Sequence, residues 1–141
     1  FMEIEVDPDT GQVEIKKVVP CHDVGHILNV DAAEGQAYGG IYMGMGSSWM
    51  EQVYFDPLTG IKMNDNLIGY SIPLLNDVGP IEINLIETGL GYSAYGAFGF
   101  GESGGASTRV LGCSAIYNAI GKYIDDVPIT PEKILKALGK V

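Results

Sequence analysis

The chain has 141 residues, 46% of them hydrophobic and 18% charged, a balance that suits one globular domain with a real core. Eighteen acidic against eight basic residues leave a net charge of −10, which argues against a nucleic-acid or anionic-membrane surface, since either needs clustered Lys and Arg. Cys21 and Cys113 fit no zinc spacing, and no apolar run reaches the roughly 20 residues of a membrane span. A reduced, cytoplasmic chain is expected, with Cys113 buried on a helix.

Phe1 already stands inside an alternating strand pattern, so residues 1–141 read as a single domain, the C-terminal part of a longer polypeptide. Met2–Val6 and Gln12–Lys16 alternate about Asp7-Pro8-Asp9-Thr10-Gly11, which predicts a β-hairpin whose second strand runs on to Cys21-His22-Asp23-Val24-Gly25. A helix is expected over 32–50 with Asp31 as its N-cap. Its five glycines each cost about 1 kcal/mol in a helix interior. Such a face implies a backbone or ligand packed very close, and hence a buried helix with no wet face. Glu51–Phe55 and Ile61–Met63 read as a second hairpin about Asp56-Pro57-Leu58-Thr59-Gly60, and Ile81–Glu87 as the cleanest strand. Ala106–Tyr123 follows as a helix with a stripe of Val110, Leu111, Cys113, Ile116, Tyr117 and Ile120, and Pro131 opens the last helix, to Leu138. The expected class is α+β: a mixed sheet of hairpins packed against a buried Gly-rich helix and a C-terminal helix.

The chemistry concentrates in Gly96–Gly105, where five of ten residues are glycine and Glu102 is the sole ionisable group. Glycines let a bulky ligand lie against the main chain, and a helix start favours an anion. Glu102 is therefore a candidate catalytic base; the plainer alternative is a turn whose Glu caps the helix. Gly99-Phe100-Gly101-Glu102-Ser103-Gly104 also spells a G-x-G-x-x-G dinucleotide motif, but more than ten residues separate it from the preceding strand, and its carboxylate would repel a pyrophosphate. His22, Asp23 and His26 suggest either a metal pair or a structural Asp23 that ties a turn, and the second is favoured. Gln36 either satisfies a nearby backbone group or binds a cofactor.

In order, the pieces are His22-Asp23-Val24-Gly25, Asn29, Glu34-Gly35-Gln36 with Gly39-Gly40, Asn66, Tyr70, Ile72-Pro73, and Gly96-Ala97 through Gly101-Glu102 into a helix. This order resembles the C-terminal part of the molybdenum-binding subunit of the xanthine dehydrogenase/aldehyde oxidase family, the molybdenum hydroxylases. The resemblance implies hydroxylation of an N-heterocycle or aldehyde with water as the oxygen source. Glu102 would be the base beside molybdenum, and Gln36 would lie against the molybdenum centre. Gly99, Gly101 and Ser103 are the further cofactor-binding candidates, with no protein ligand to the metal itself. The implied cofactor is molybdopterin, in a plain or cytosine dinucleotide form, with iron–sulfur clusters and FAD on other domains or subunits. The implied partners are the rest of the molybdenum-binding subunit, the iron–sulfur and flavin subunits and a small-molecule substrate. The chain departs from the family at Phe98, often basic there, at Phe100, often small, and at Ser103-Gly104, where Pro-Pro is common. The two phenylalanines point to an apolar pocket wall or to core. A non-catalytic interaction domain that docks partner subunits is the alternative.

Overall fold

Asp7 begins the first turn by folding its carboxylate back over the chain, Oδ1 accepting the Asp9 N–H and Oδ2 the Thr10 hydroxyl, both at 2.8 Å. Gly11 then takes φ +73°, a left-handed conformation, and the chain reverses. The computed structural model, which describes residues 1–141, accordingly pairs β1 (Met2–Val6) antiparallel with β2 (Val13–Val18). The same five-residue turn recurs at Asp56–Gly60, with Oδ1 on the Leu58 N–H and Oδ2 on the Thr59 hydroxyl at 2.8 and 2.9 Å. Its flanks meet only in one bridge, Phe55 with Lys62, so the expected second hairpin is a turn without strands. An isolated two-stranded ribbon needs an apolar face to lie on, and Leu58, Ile61 and Met63 are exposed.

The alternation over 81–87 also yields less strand than it predicts. Only β4 (Asn84–Ile86) has a partner, the parallel β3 (Cys21–Asp23), because β3 offers three residues before Gly25 turns away at φ +68°. Ile81 meets Val18 in a single bridge. The sheet is thus two separate pairs, one antiparallel and one parallel.

Helix α1 (Val30–Trp49) is capped by Asn29 and not by Asp31: Asn29 Oδ1 accepts the Ala32 N–H at 2.9 Å from an extended backbone. Asp31 lies in the first turn, where it complements the helix dipole. The second half of α1 is largely buried apart from Met43, with Ile41 and Met45 joining Ile15, Val18 and Val78 in one core cluster. The first half is not, and Gln36, Tyr38 and Gly39 are exposed, so the expectation of a helix with no wet face fails there.

Helix α2 (Ser103–Ile120) starts three residues before the predicted position and stops at Gly121, φ +67°. It packs on α1 through Gly104, Thr108 and Gly112. A Cβ added to Gly40 would stand 3.1 Å from Gly104 Cα, and one on Gly44 only 2.6 Å from Thr108 Cβ. The predicted stripe is therefore only part of the packed surface: Ile116, Cys113 and Ile120 join a core cluster with Ile124, Ile129 and Ile134, while the contact with α1 lies elsewhere. Ile116 is buried, Cys113 is half-buried, and Val110 and Tyr117 are exposed, because the seam is built of small residues that a hydrophobicity pattern underweights. Helix α3 (Pro131–Ala137) is capped by Thr130 and closes a second core cluster of Ile116, Ile124, Ile129 and Ile134. No helix is long and apolar enough to cross a membrane.

Candidate functional site

The segment before Glu102 is tied to the end of β3. Phe98 N–H donates to Val24 C=O at 2.9 Å, and His26 N–H donates to Gly96 C=O at 2.8 Å. A Cβ on Gly25 would lie 2.4 Å from Gly96 O, so only glycine admits this crossing. Asp23 braces it: its Oδ1 accepts the Gly25 N–H at 2.9 Å, and the Thr88 hydroxyl donates to both carboxylate oxygens at 2.9 Å. Asp23 is thus the structural residue that the favoured reading makes it. The two imidazoles do not converge. His26 Nδ1 pairs with Glu87 at 3.0 Å, while the His22 ring packs against Phe100.

Beyond Phe98 the main chain is unusually free. The N–H groups of Gly99, Phe100, Gly101, Glu102, Ser103 and Gly104 make no hydrogen bond within the chain. Nothing lies within 4 Å of a Cβ built on Gly99 or Gly101. Glu102 sits at the N-cap position of α2 but makes no side-chain capping bond. It is exposed, and with Met43, Ser47 and Arg109 it lines a cleft of about 280 Å³. Ser103 is exposed beside it.

Gln36 reaches this loop from α1, its Nε2 donating to Gly101 C=O at 2.7 Å across 65 residues of sequence. The structure therefore brings together Gln36, Gly99, Gly101, Glu102 and Ser103, all singled out from the sequence. Gln36 satisfies a backbone group, as one of its two readings has it, and that group is the peptide next to Glu102. Gln36, Leu28, Phe98 and Phe100 line a second, largely apolar cleft of about 320 Å³. Sequence reasoning missed Arg109 beside Glu102, although it is the chain's only arginine, and the contact of His22 with Phe100, for which no sequence signal exists. Burial lowers the pKa of His22 from its ordinary 6.5, and its Nε2 is shut off from solvent with no partner.

Residues 1–79 match the family model of the molybdopterin cofactor-binding domain. The chain belongs to this family. It is 34% identical over 134 residues, 95% of its length, to a putative xanthine dehydrogenase molybdenum-binding subunit of Escherichia coli, and covers 18% of that protein. An aldehyde oxidoreductase molybdenum-binding subunit of the same species is 33% identical over 142 residues, all of this chain and 19% of the relative. The fold matches the crystal structure of quinoline 2-oxidoreductase from Pseudomonas putida with a TM-score of 0.85 and 30% identity, over 97% of this chain and 18% of that one. These are molybdenum hydroxylases of the xanthine dehydrogenase/aldehyde oxidase type, and the chain spans under a fifth of the length of the curated relatives it matches.

The residues present fit a molybdopterin group. Six consecutive unpaired N–H donors at a helix start, with no Cβ at Gly99 or Gly101 to hold a ligand off, suit a bulky group that presents hydrogen-bond acceptors to the main chain.

Proposed function

We propose that this chain forms one wall of the active site of a molybdenum hydroxylase, with Glu102 as its general base. When bound, the cofactor supplies a two-electron oxidation of a carbon centre in an N-heterocycle or aldehyde, with water as the source of oxygen. Gly99, Gly101 and Ser103 hold it through their free N–H groups. Gln36 fixes the peptide ahead of Glu102 and presents its remaining amide atoms to the same space. Glu102, free of any capping bond, accepts the proton released in the reaction; a base must stand within about 3 Å of that proton, and the flanking glycines permit the approach. Phe98 and Phe100 form an apolar wall for a flat substrate. The observation that carries this reading is the Gln36–Gly101 hydrogen bond, which brings α1 to the residue beside an uncommitted carboxylate.

The remaining parts belong elsewhere on this reading. The rest of the molybdenum-binding subunit completes the cofactor cage, in its plain or cytosine dinucleotide form. Iron–sulfur and FAD domains or subunits take the electrons, and the assembly works in the cytoplasm. The 141 residues alone are inactive. One observation favours the alternative, an interaction domain. Leu67, Ile68, Leu74 and Leu75 are exposed on one irregular segment, which suits docking to a partner.

Glu102→Gln in the intact parent enzyme separates the two. It should keep molybdenum and pterin while cutting turnover by at least about a hundredfold, the usual scale of a general base. Full turnover at full molybdenum occupancy refutes the base; a parent with no molybdenum favours the interaction domain.

A further inference from the structure

We propose that His22 is a positioning residue for Glu102, acting through Phe100. The inference rests on the reading of Glu102 as the base. Between the Phe98 N–H bond and the first turn of α2 the loop makes no backbone hydrogen bond through its own N–H groups. Two tethers remain. One is Gln36 on Gly101 C=O. The other is the ring of Phe100, the sole side chain between Gly99 and Gly101, against His22, with centroids 5.0 Å apart and planes at 55°.

His22 is well placed to brace that ring. It stands in the middle of β3, opposite Leu85 of β4, and its neighbour Asp23 is tied to Gly25 and Thr88. Its backbone is therefore anchored on both sides. The imidazole makes no hydrogen bond in the chain, and the buried Nε2 has no partner, so what His22 offers is an uncharged ring. A buried polar atom without a partner is a cost, and a role in shaping the loop accounts for keeping the residue. Gly99 and Gly101 carry no side chain, so Phe100 offers the one side chain by which this stretch of the loop is held, and Glu102 follows two residues later.

The test uses the intact, molybdenum-loaded parent enzyme. His22→Ala should lower kcat about tenfold, a small misplacement of the base, with molybdenum content and KM each within about twofold of wild type. His22→Phe keeps a ring, loses the unpaired nitrogen, and should recover kcat to within about twofold. His22→Ala combined with Phe100→Ala should be no slower than Phe100→Ala alone, since both act through one contact. Should His22→Ala lose molybdenum, His22→Gln, of similar bulk without a ring, carries the same comparison. Wild-type kcat in the ringless variants, no recovery in His22→Phe, or losses that multiply in the double variant would each overturn the inference. Glu102→Gln run alongside distinguishes the failures. If it turns over normally, the base reading is wrong; if it is slow while His22→Ala is fast, only the brace is wrong.

Discussion

Replacing Gly44 by alanine should loosen the α1–α2 seam, while the same change at Gly39 should not. A Cβ at Gly44 would stand 2.6 Å from Thr108 Cβ and 2.7 Å from Gly105 O. Ordinary contact begins near 3.4 Å, so the shortfall is roughly 0.8 Å. Thr108 cannot swing aside cheaply, because its hydroxyl donates to Gly104 C=O at 2.6 Å. The helices must then part or α2 must rotate, and overpacking of this kind costs about 1–3 kcal/mol. Each alanine also gains about 1 kcal/mol of helix propensity over glycine. Because that gain is common to both variants, the difference between them isolates the packing cost. At Gly39 nothing lies within 4 Å of the new carbon. Hydrogen exchange of the α1 and α2 amides in the intact subunit reads the difference locally, where the melting of a multidomain protein would blur it. Gly44→Ala should exchange there about 5–150 times faster than Gly39→Ala, the factor that 1–3 kcal/mol implies. Equal protection would mean that the helices separate freely, and that close approach is not the reason for glycine at this position.

Gln36→Leu removes the donor to Gly101 C=O, a loss of about 0.5–1.5 kcal/mol, and should speed release of molybdenum on dialysis; unchanged retention and turnover would show the bond to be idle. Asp23→Ala leaves the Gly25 N–H and the Thr88 hydroxyl without their acceptor, at about 1–3 kcal/mol, and should raise proteolytic cleavage over 88–96. Thr88→Val should raise it less, and the reverse order would misplace the brace. Asp7 and Asp56 both have pKa values held below the ordinary 3.8, chiefly by the backbone N–H groups of Asp9 and Leu58 and then by the hydroxyls of Thr10 and Thr59. A depressed folded pKa gives stability that is fully present above the unfolded value and is lost as pH falls through the folded one. The amides of Gly11 and Gly60 should therefore keep constant protection from neutral pH down to about 5 and lose it below about pH 4. Protection that does not change with acid would refute the carboxylate's part in both turns.

The parts of the molecule that were legible in the sequence are those decided by neighbours in the chain. Asp7 and Thr10 build their turn within five residues, and Asp-Pro-x-Thr-Gly announces it twice. The glycine run around Glu102 and the glycine face of α1 were visible as composition, and the structure brings Gln36 and Gly101 together. What was not legible depends on partners far off in sequence. Ile81–Glu87 alternates over seven residues, yet its length as a strand is set by the three residues that Cys21–Asp23 can offer. Of the packed surface of α2, Ile116, Cys113 and Ile120 were legible, but the seam on α1 was not, because Gly104, Thr108 and Gly112 carry little hydrophobicity, whereas exposed Val110 and Tyr117 carry much. Asn29 displaced Asp31 as N-cap because the helix begins two residues before its apolar pattern does. The grip of His22 on Phe100 spans 78 residues and leaves no periodic trace.

The turn at Asp56–Gly60 lies in a long excursion, from the end of α1 to the start of β4, that returns the chain beside β3. Loop-closure entropy grows only logarithmically with length, so ten further residues inserted into this excursion, residues 50–83, would cost about 0.2 kcal/mol. The excursion has its own internal clamp: Asn64 bonds Tyr54 N–H and the carbonyls of Gln52 and Gly69. Its tip at Leu58 is 95% exposed. A lineage could thus lengthen, shorten or recolour this surface while the loop that carries Glu102 keeps its moorings on Val24, Gln36 and His22. On the function proposed above, partner choice and chemistry would then be free to evolve at separate rates within one short chain.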